Sequence, residues 1–425
     1  MASGPSHCNS GLRLMLRALV RSESLRAAAA MGVGGASFAL GSLVLAKVLS
    51  PGEYGLVSLF IGIVAVCGFT GPLGLDLVVA RRGLQLDSSW RRAALAACTA
   101  VGVVAAVVTA IAYHLALPLS ICVLCATAAR GVVQACGAHF RGERRFAIAL
   151  WILQLSNGAL VPVALCSALF KFRTAIGPSA LITVAGVAGA SAAWLQVVRS
   201  QRPGEPQPPP RRLLGEALSL VTLESSSAVF LQLERLLLVP TAGIGGLALF
   251  GVLAALVGSP FRLLQQAAQF TLVPSLRAAS GTGERVQLLR REAVLVSLVS
   301  AAGSIVIWFA APWIARGFLG GRYDLRPALV MAGLVSGLLK VFSAFAFATA
   351  IALARDRSLR ILGALSWASL GVSVAGAFAA MPWGLVGVLY GVSLGWLIRA
   401  VAATWLALPY LRRAAPARVP TCPNT

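Results

Sequence analysis

Long apolar stretches, separated by short polar segments, run along the whole chain. A helix needs about 20 apolar residues to span a bilayer. Twelve stretches approach or exceed that length: 27–48, 54–79, 93–113, 115–137, 147–169, 176–198, 214–239, 242–273, 293–315, 327–353, 361–381 and 384–410. The eighth is longer than a bilayer requires, so we expect it to extend beyond the lipid or to kink near Pro260. The pattern predicts an all-α polytopic membrane protein with about 12 transmembrane helices.

Basic residues are distributed unequally between the two ends of these predicted helices. They cluster in the N-terminal tail, in every second connection and in the C-terminal tail, and this side holds 25 of the 36 Lys and Arg residues. The opposite side holds six. Because short basic loops stay in the cytoplasm, the split predicts that both termini are cytoplasmic. It also makes anionic membrane lipids natural partners of the basic side.

One connection resembles a linker. Residues 199–213 are rich in Pro and Arg and divide the chain into two sets of six predicted helices. A weak repeat agrees, because a glycine-containing segment opens the second helix at 52–56 and the eighth at 243–247. Repeats with interrupted helices are typical of transporters that bind their substrate between two halves. We predict a basic N-tail at 1–26, a six-helix bundle at 27–198, the cytoplasmic linker at 199–213, a second six-helix bundle at 214–410 and a C-tail at 411–425.

Composition narrows the class of protein. The chain is 58% hydrophobic and 12% charged, whereas soluble domains carry about 25% charged residues. The net charge of +23 would permit nucleic-acid binding, but the basic residues flank apolar stretches, so we expect no nucleic-acid partner. Cys122 and Cys125 form a C-x-x-C inside a predicted helix, without a second ligand pair. We therefore expect no metal and no cofactor.

The junction between the first two predicted helices has a specific pattern. An apolar run is followed by Leu49-x-Pro51-x-x-Tyr54-Gly55 and by a second apolar run. It resembles the corresponding junction of the polysaccharide repeat-unit (O-antigen/exopolysaccharide) flippase family. That family belongs to the multidrug/oligosaccharidyl-lipid/polysaccharide exporter superfamily.

Three other segments resemble the same family. Gly74-Leu75-Asp76 is similar to the end of its second helix, and Phe270–Leu276 is similar to the exit of its eighth. Leu233–Leu238 resembles a motif of its seventh helix, although this chain has Glu234 where Asp is usual.

The resemblance implies two bundles around a central cavity and transport by alternating access. It implies a polyprenyl-diphosphate-linked oligosaccharide as cargo, flipped across the bacterial cytoplasmic (inner) membrane for polysaccharide biosynthesis. A polysaccharide polymerase and assembly proteins are then candidate partners, and H⁺ or Na⁺ is a candidate coupling ion. No nucleophile–base pair is evident, so we expect no enzyme activity.

Ionisable residues at bilayer depth are costly and by default mark a cavity or a pathway. The eighth predicted helix carries Arg262, Gln265, Gln266 and Gln269. Their i, i+3, i+4, i+7 spacing puts them on one polar stripe. The stripe is either a cavity wall that binds sugar hydroxyls and phosphate, or a face in water at the cytoplasmic end of the helix.

Acidic residues offer candidate ion-coupling or gate positions. Glu234 and Arg235, near the predicted outer end of the seventh helix, form either an external gate or solvated or loop-paired charges. Glu224 lies deeper and is either a proton or cation site or half of a structural salt bridge. Asp76 either pairs with the two arginines that follow it or acts as an ion site.

Two cations occupy equivalent helices of the two predicted halves. Arg130 lies in the fourth helix and Lys340 in the tenth, so both could reach a central cavity and bind a diphosphate. The alternative is that such side chains snorkel to an interface, which suits Arg130 and Arg399 best.

Two other functions remain open. An ion-coupled small-molecule or multidrug exporter of the same superfamily would have the same architecture, although five intramembrane bases against three acids favour an anionic cargo. A membrane-embedded polysaccharide polymerase or glycosyltransferase would need a hydrophilic catalytic domain, and the longest polar stretch, 274–292, is too short for one.

Overall fold

The computed structural model describes residues 23–200, 209–279, 281–354 and 356–412. Most of the predicted N-tail, linker and C-tail lies outside these ranges. Within them, the regular structure is helical. The α-helices are α1 (Glu23–Val48), α2 (Pro51–Thr70), α3 (Leu75–Arg82), α4 (Ser88–Tyr113), α5 (Leu117–Gly142), α6 (Phe146–Gly158), α7 (Leu160–Leu169), α8 (Ile176–Ser200), α9 (Pro210–Leu253), α10 (Ser259–Ala278), α11 (Thr282–Gly317), α12 (Pro327–Leu353), α13 (Asp356–Ala379) and α14 (Gly384–Arg412).

The predicted all-α polytopic fold is confirmed. In the described part of the chain, 11 helical segments are long and apolar enough to cross a membrane. One of them, Arg212–Gln266, has 55 residues and contains the predicted seventh span and most of the eighth. Gly243 interrupts it with a non-helical backbone (φ 70°, ψ 178°), which glycine adopts readily because it lacks Cβ. A π-helical turn at Ala254–Gly258 precedes Pro260, where the sequence predicted an irregularity.

The second predicted span consists of two helices. α2 ends at Thr70, and α3 begins at Leu75 after a turn in which Leu73 and Gly74 have positive φ. A side chain at Gly74 would overlap the carbonyl of Ala217. The turn therefore needs glycine both for its backbone conformation and for its packing against α9.

The fifth predicted span is also interrupted. α6 ends at Gly158 and α7 begins at Leu160. Pro162 has no N–H to donate to the carbonyl four residues earlier, which weakens the helix at this point. The interruption lies beside two polar residues, Ser156 and Asn157.

The described chain forms two compact units. Unit 1 extends to Ser259 and includes Ala315–Asp324, whereas unit 2 contains Pro260–Ile314 and the residues from Leu325 onward. The core of unit 1 is built around fully buried side chains such as Trp90 and Phe140. The predicted division into two six-helix bundles joined at 199–213 stays a prediction.

Unit 2 has a tightly packed part in which α14 contacts both α12 and α13. α13 and α14 approach closely through glycines, since a Cβ on Gly376 would lie 2.9 Å from the carbonyl oxygen of Gly391. Small residues at helix contacts allow this closeness in membrane proteins.

The segment Ala315–Asp324 packs within unit 1 against the junction of α1 and α2. The Tyr323 hydroxyl donates to the carbonyl oxygen of Ala46 at 3.2 Å, and its ring meets that of Tyr54 edge to face at 6.2 Å. Burial raises the pKa of Tyr323 to about 12, although Arg322 opposes this rise. The phenol is therefore neutral and available as a donor at physiological pH.

Candidate functional site

Unit 1 contains a cleft of about 90 Å³ between six of its helices, α1, α2 and α5 to α8. Most of the residues that line it are apolar, including Phe38 and Phe60. The polar exceptions are Arg130, Ser156 and Asn157. A mostly apolar pocket with a few polar groups on one side has the character of an organic-ligand site.

Arg130 is the charged residue of this cleft. It lies at the middle of α5, about 18–20 Å from either end of the helix. Its guanidinium donates to the carbonyl oxygen of Leu153 at 2.9 Å and to the Ser156 hydroxyl. Among the described residues, it makes no ion pair with a carboxylate. The structure thus contradicts the snorkelling interpretation of Arg130, because neutral acceptors within the helix layer hold the side chain.

A glycine on α2 makes room for this arginine. A Cβ added at Gly68 would lie 2.5 Å from Cβ of Arg130, a distance that real Cβ atoms essentially never show. The aliphatic stem of Arg130 therefore lies directly against the backbone of α2. This contact positions the guanidinium toward the interrupted helix formed by α6 and α7.

A second guanidinium lies in the interior of unit 1. Arg235 is only 4% exposed, donates to the Gln232 side-chain oxygen at 2.8 Å and lies 5.5 Å from the ring centre of Phe38. Its neighbour Glu234 is 1% exposed. The interpretation of Glu234 and Arg235 as solvated charges is therefore wrong. Their role as a gate stays a prediction.

Asp76 does not pair with the arginines that follow it. Arg82 contacts Glu216 on α9 at 2.6 Å, and Arg81 lies 3.9 Å from the same carboxylate. Asp76 is instead buried at the start of α3, within electrostatic range of Arg141. The predicted pairing of Asp76 with Arg81 and Arg82 is wrong, because both arginines pair with Glu216. Glu216 lies 134 positions from Arg82 in the sequence.

The structure brings Asp76 and Glu224 together within unit 1. The carboxyl groups of Asp76 and Glu224 each interact electrostatically with the Arg141 guanidinium, and they also interact electrostatically with each other. The two acids come from α3 and α9, which pack against each other. Two carboxyl groups that share one cation are a suitable arrangement for holding a proton or a monovalent cation. Their role in ion coupling stays a prediction.

The polar stripe of the predicted eighth helix lies on α10, in unit 2. Gln265 is buried, and Arg262 and Gln266 are half-buried. The side chain of Gln269, the fourth predicted member of the stripe, lies outside the described residues. The half-burial of the stripe is compatible with either interpretation, so the assignment of these residues to cargo binding stays a prediction.

Unit 2 also holds two cations against aromatic rings. Nζ of Lys340, at the middle of α12, lies 5.8 Å from the ring centre of Trp396. The guanidinium of Arg399 lies 4.4 Å from Phe347 and 5.6 Å from Trp396. Arg399 is 4% exposed near the middle of α14. Its position therefore argues against snorkelling, and a count of residues from the predicted helix ends could have indicated this.

Outside the membrane-spanning helices, Asp87 caps α4. Partial burial by itself would raise the pKa of this carboxyl, but hydrogen bonds from the amides of Ser89 and Trp90 and from the Ser89 hydroxyl outweigh burial. The net effect lowers the pKa of Asp87 below its usual value. The carboxylate therefore anchors the start of α4.

Among the described residues, no group of His, Cys, Asp and Glu is arranged to hold a metal ion. Sequence reasoning missed Phe38, Ser156, Asn157 and Trp396. Aromatic residues in apolar stretches carry no signal that separates a cleft wall from a lipid-facing side chain. Ser156 and Asn157, in contrast, are adjacent polar residues before a proline, and that pattern could have marked the helix interruption.

No protein-family model matches the sequence, and no curated protein matches it. The fold, in contrast, is similar to solved transporter structures. A multidrug resistance MATE family transporter of the MOP superfamily, in its inward-facing conformation, is 14% identical with a TM-score of 0.62, over 90% of this chain and 94% of that one. An outward-facing structure with the same description is 18% identical with a TM-score of 0.62, over 92% and 97%.

A third similar structure is a MOP superfamily transporter from Pyrococcus furiosus. It is 17% identical with a TM-score of 0.59, over 92% of this chain and 97% of that one. Its binding pocket is described as having reverse polarity, which suggests a different function for that protein. At these identities the likeness establishes the fold. The chain thus has the fold of these transporters.

Proposed function

We propose that this protein is a membrane transporter that moves an amphiphilic organic anion by alternating access. The carrying observation is the unit 1 cleft, in which Arg130 is held by a carbonyl and a hydroxyl oxygen rather than by a carboxylate. A buried cation whose charge is not neutralised by an acid favours an anionic ligand. The apolar walls of the cleft would accommodate the ligand's hydrocarbon part.

The fold supports the transport part of this proposal. Similar structures are known for multidrug transporters in inward- and outward-facing conformations. Alternation between two such conformations exposes a binding site first to one side of the membrane and then to the other. A binding pocket of reverse polarity is described for the Pyrococcus furiosus protein, so the polarity of the pocket differs among proteins of this fold. We also propose that Arg262, Gln265, Gln266 and Lys340 of unit 2 bind cargo.

The size of the cargo decides between two candidates. A cleft of about 90 Å³ favours a small amphiphilic anion, and two of the three similar structures are of multidrug resistance transporters. The alternative cargo is a polyprenyl-diphosphate-linked oligosaccharide, which the sequence motifs around Pro51 and Tyr54 favour. Both cargoes are anionic, so Arg130 has the same role in each. We assign Asp76 and Glu224 to coupling with H⁺ or Na⁺.

Transport by the purified protein in proteoliposomes tests the proposal. Uptake of naphthalene-2-sulfonate would be measured beside translocation of a fluorescent polyprenyl-diphosphate-linked oligosaccharide in the same vesicles. We expect protein-dependent movement of the sulfonate. Movement of the oligosaccharide alone would replace the small-anion cargo with the flippase function. Movement of neither compound, with the protein folded in the vesicles, would overturn the proposed transport of anions.

A further inference from the structure

The unit 1 cleft reaches the surface of that unit between α6 and α8. Leu155 of α6 lines the cleft, yet 43% of its side chain is exposed. On the facing helix, α8 contributes Gly186 and Gly189 to the lining. These glycines have no side chain that could close the cleft at this point. Leu155, Gly186 and Gly189 together form what we call the α6–α8 rim.

The rim is closed at one glycine and open at the other. A Cβ at Gly189 would lie 3.5 Å from Cδ1 of Leu155, so the leucine side chain rests against that glycine. A Cβ at Gly186 would have its nearest neighbour at 4.0 Å, on Ala129, so room remains there even for a methyl group. The two glycines are about 4.5 Å apart along the helix. The position of the Leu155 side chain therefore decides how wide the rim is.

Large apolar side chains surround the rim on the outer face of the two helices. Trp151 lies one turn before Leu155 on α6, and Val184 and Val187 lie beside the glycines on α8; all three are exposed. They do not line the cleft, so their exposed faces point away from it. An exposed apolar patch on membrane-spanning helices is a surface for lipid. The rim therefore connects the cleft with the membrane.

The rim and the charged group of the cleft lie at similar depths. Arg130, Leu155 and Gly186 are each near the middle of the membrane-spanning segment that contains them. The hydrocarbon core of a bilayer is about 30 Å thick, so the middle of a span is surrounded by lipid tails. A hydrocarbon chain that leaves the cleft past Leu155 therefore enters an apolar layer and not water.

The size of the cleft limits how much of a cargo it can enclose. Its volume of about 90 Å³ is smaller than the roughly 150 Å³ of an enclosed apolar cavity that holds one benzene molecule. The cleft can enclose an anionic group and the first carbons attached to it. A larger hydrocarbon part, whether a ring system or a chain, must extend through an opening, and the α6–α8 rim is such an opening.

We propose that the cleft binds single-chain amphiphilic anions dissolved in the membrane, with the anionic group on Arg130 and the hydrocarbon chain passing between α6 and α8 into the lipid. This inference rests on the proposed function and narrows its cargo class. An anionic group that leaves water needs a cationic partner, which Arg130 provides. The chain stays in apolar surroundings throughout, and Leu155 changes rotamer to let it pass Gly189.

Two matched probes test the route of the chain. Butane-1-sulfonate and decane-1-sulfonate share one anionic group and differ in chain length. Binding of each radiolabelled probe to the full-length protein in lipid nanodiscs would be measured at equilibrium, with empty nanodiscs giving the partition into lipid. Leu155→Trp narrows the rim. It should weaken decanesulfonate binding about tenfold, equivalent to lost burial of about two methylene groups, and leave butanesulfonate binding unchanged.

The chain offers a matched control for this substitution. Leu165 of α7 is also exposed but does not line the cleft, so Leu165→Trp should leave the binding of both probes unchanged. A second measurement uses the wild type alone. Decanesulfonate with a photoreactive group at the end of its chain should label α6 and α8 around Trp151 and Val187, as mapped by mass spectrometry.

The outcomes separate this inference from the proposed function. Equal effects of Leu155→Trp on the two probes, or photolabelling confined to other helices, would overturn the route between α6 and α8 alone. Binding of butanesulfonate without decanesulfonate would show that the cargo comes from water, and would overturn the membrane-dissolved cargo alone. Binding of neither probe to the wild type would overturn the anion-transport proposal and this inference with it.

Discussion

Two regions of the molecule hold a guanidinium near the middle of an apolar helix, and they stabilise it differently. In unit 1, oxygen acceptors hold Arg130 at the edge of a cleft. In unit 2, the faces of Phe347 and Trp396 cover Arg399. The sequence of α12, α13 and α14 contains one acidic residue, Asp356, at the first position of α13.

The difference shows how the same residue type can serve cargo or architecture. Both hydrogen bonds of Arg130 come from one guanidinium nitrogen, so its other N–H groups can donate to a ligand anion in the cleft. Aromatic faces stabilise the Arg399 guanidinium by cation–π contact while the side chain stays buried between packed helices. We therefore expect changes at Arg130 to affect binding, and changes around Arg399 to affect stability.

The largest effect on stability should come from Trp396→Leu. Trp396 is 3% exposed and supports both Lys340 and Arg399. Loss of a buried indole and of two cation–π contacts should cost about 3 kcal/mol. The measurement is the thermal unfolding midpoint, with Trp405→Leu as the control, because Trp405 is 68% exposed on the same helix. Equal shifts for the two variants would contradict a stabilising role for the aromatic cover.

A smaller effect, this time on unit 1, should come from Gly68→Ala. The new methyl group would meet the Arg130 stem, and overpacking of this kind costs about 1–3 kcal/mol. It should also weaken sulfonate binding, because Arg130 must move. Gly186→Ala is the matched control, since Gly186 lines the same cleft and its nearest neighbour would be 4.0 Å from the new Cβ. If both substitutions weaken binding equally, Arg130 is not positioned by Gly68.

The smallest effect on stability should come from substitution of Asp87, which lies in neither region and so serves as a reference for the two larger effects. Asp87→Ala should destabilise unit 1 by about 1 kcal/mol through loss of the cap. The pKa of Asp87 is lowered in the folded state, so its contribution is present above the unfolded pKa of about 3.9 and is lost as pH falls further. Asp87→Asn keeps the cap and should remove this acid dependence. An unchanged pH profile of unfolding in Asp87→Asn would contradict the assignment.

Much of the fold could be predicted from apolar length alone. The helix interruptions at Gly243 and before Pro260 also follow from the sequence, because glycine and proline disturb helices locally. The partners of Asp76 and Arg82 could not be predicted, since Arg141 and Glu216 lie far from them in the sequence. The contacts of Phe38 and Trp396 could not be predicted from the sequence either, because they depend on which face of an apolar helix packs against protein and which faces lipid.

The most direct test of the anion-transport proposal concerns the charge of Arg130. Proteoliposomes containing the wild type, Arg130→Lys, Arg130→Gln or the exposed-loop control Arg173→Gln would be supplied with naphthalene-2-sulfonate or with its trimethylammonium counterpart. We predict that the wild type, Arg130→Lys and Arg173→Gln prefer the anion, and that Arg130→Gln loses this preference by at least about tenfold. An unchanged anion-to-cation ratio in correctly folded Arg130→Gln would contradict the account.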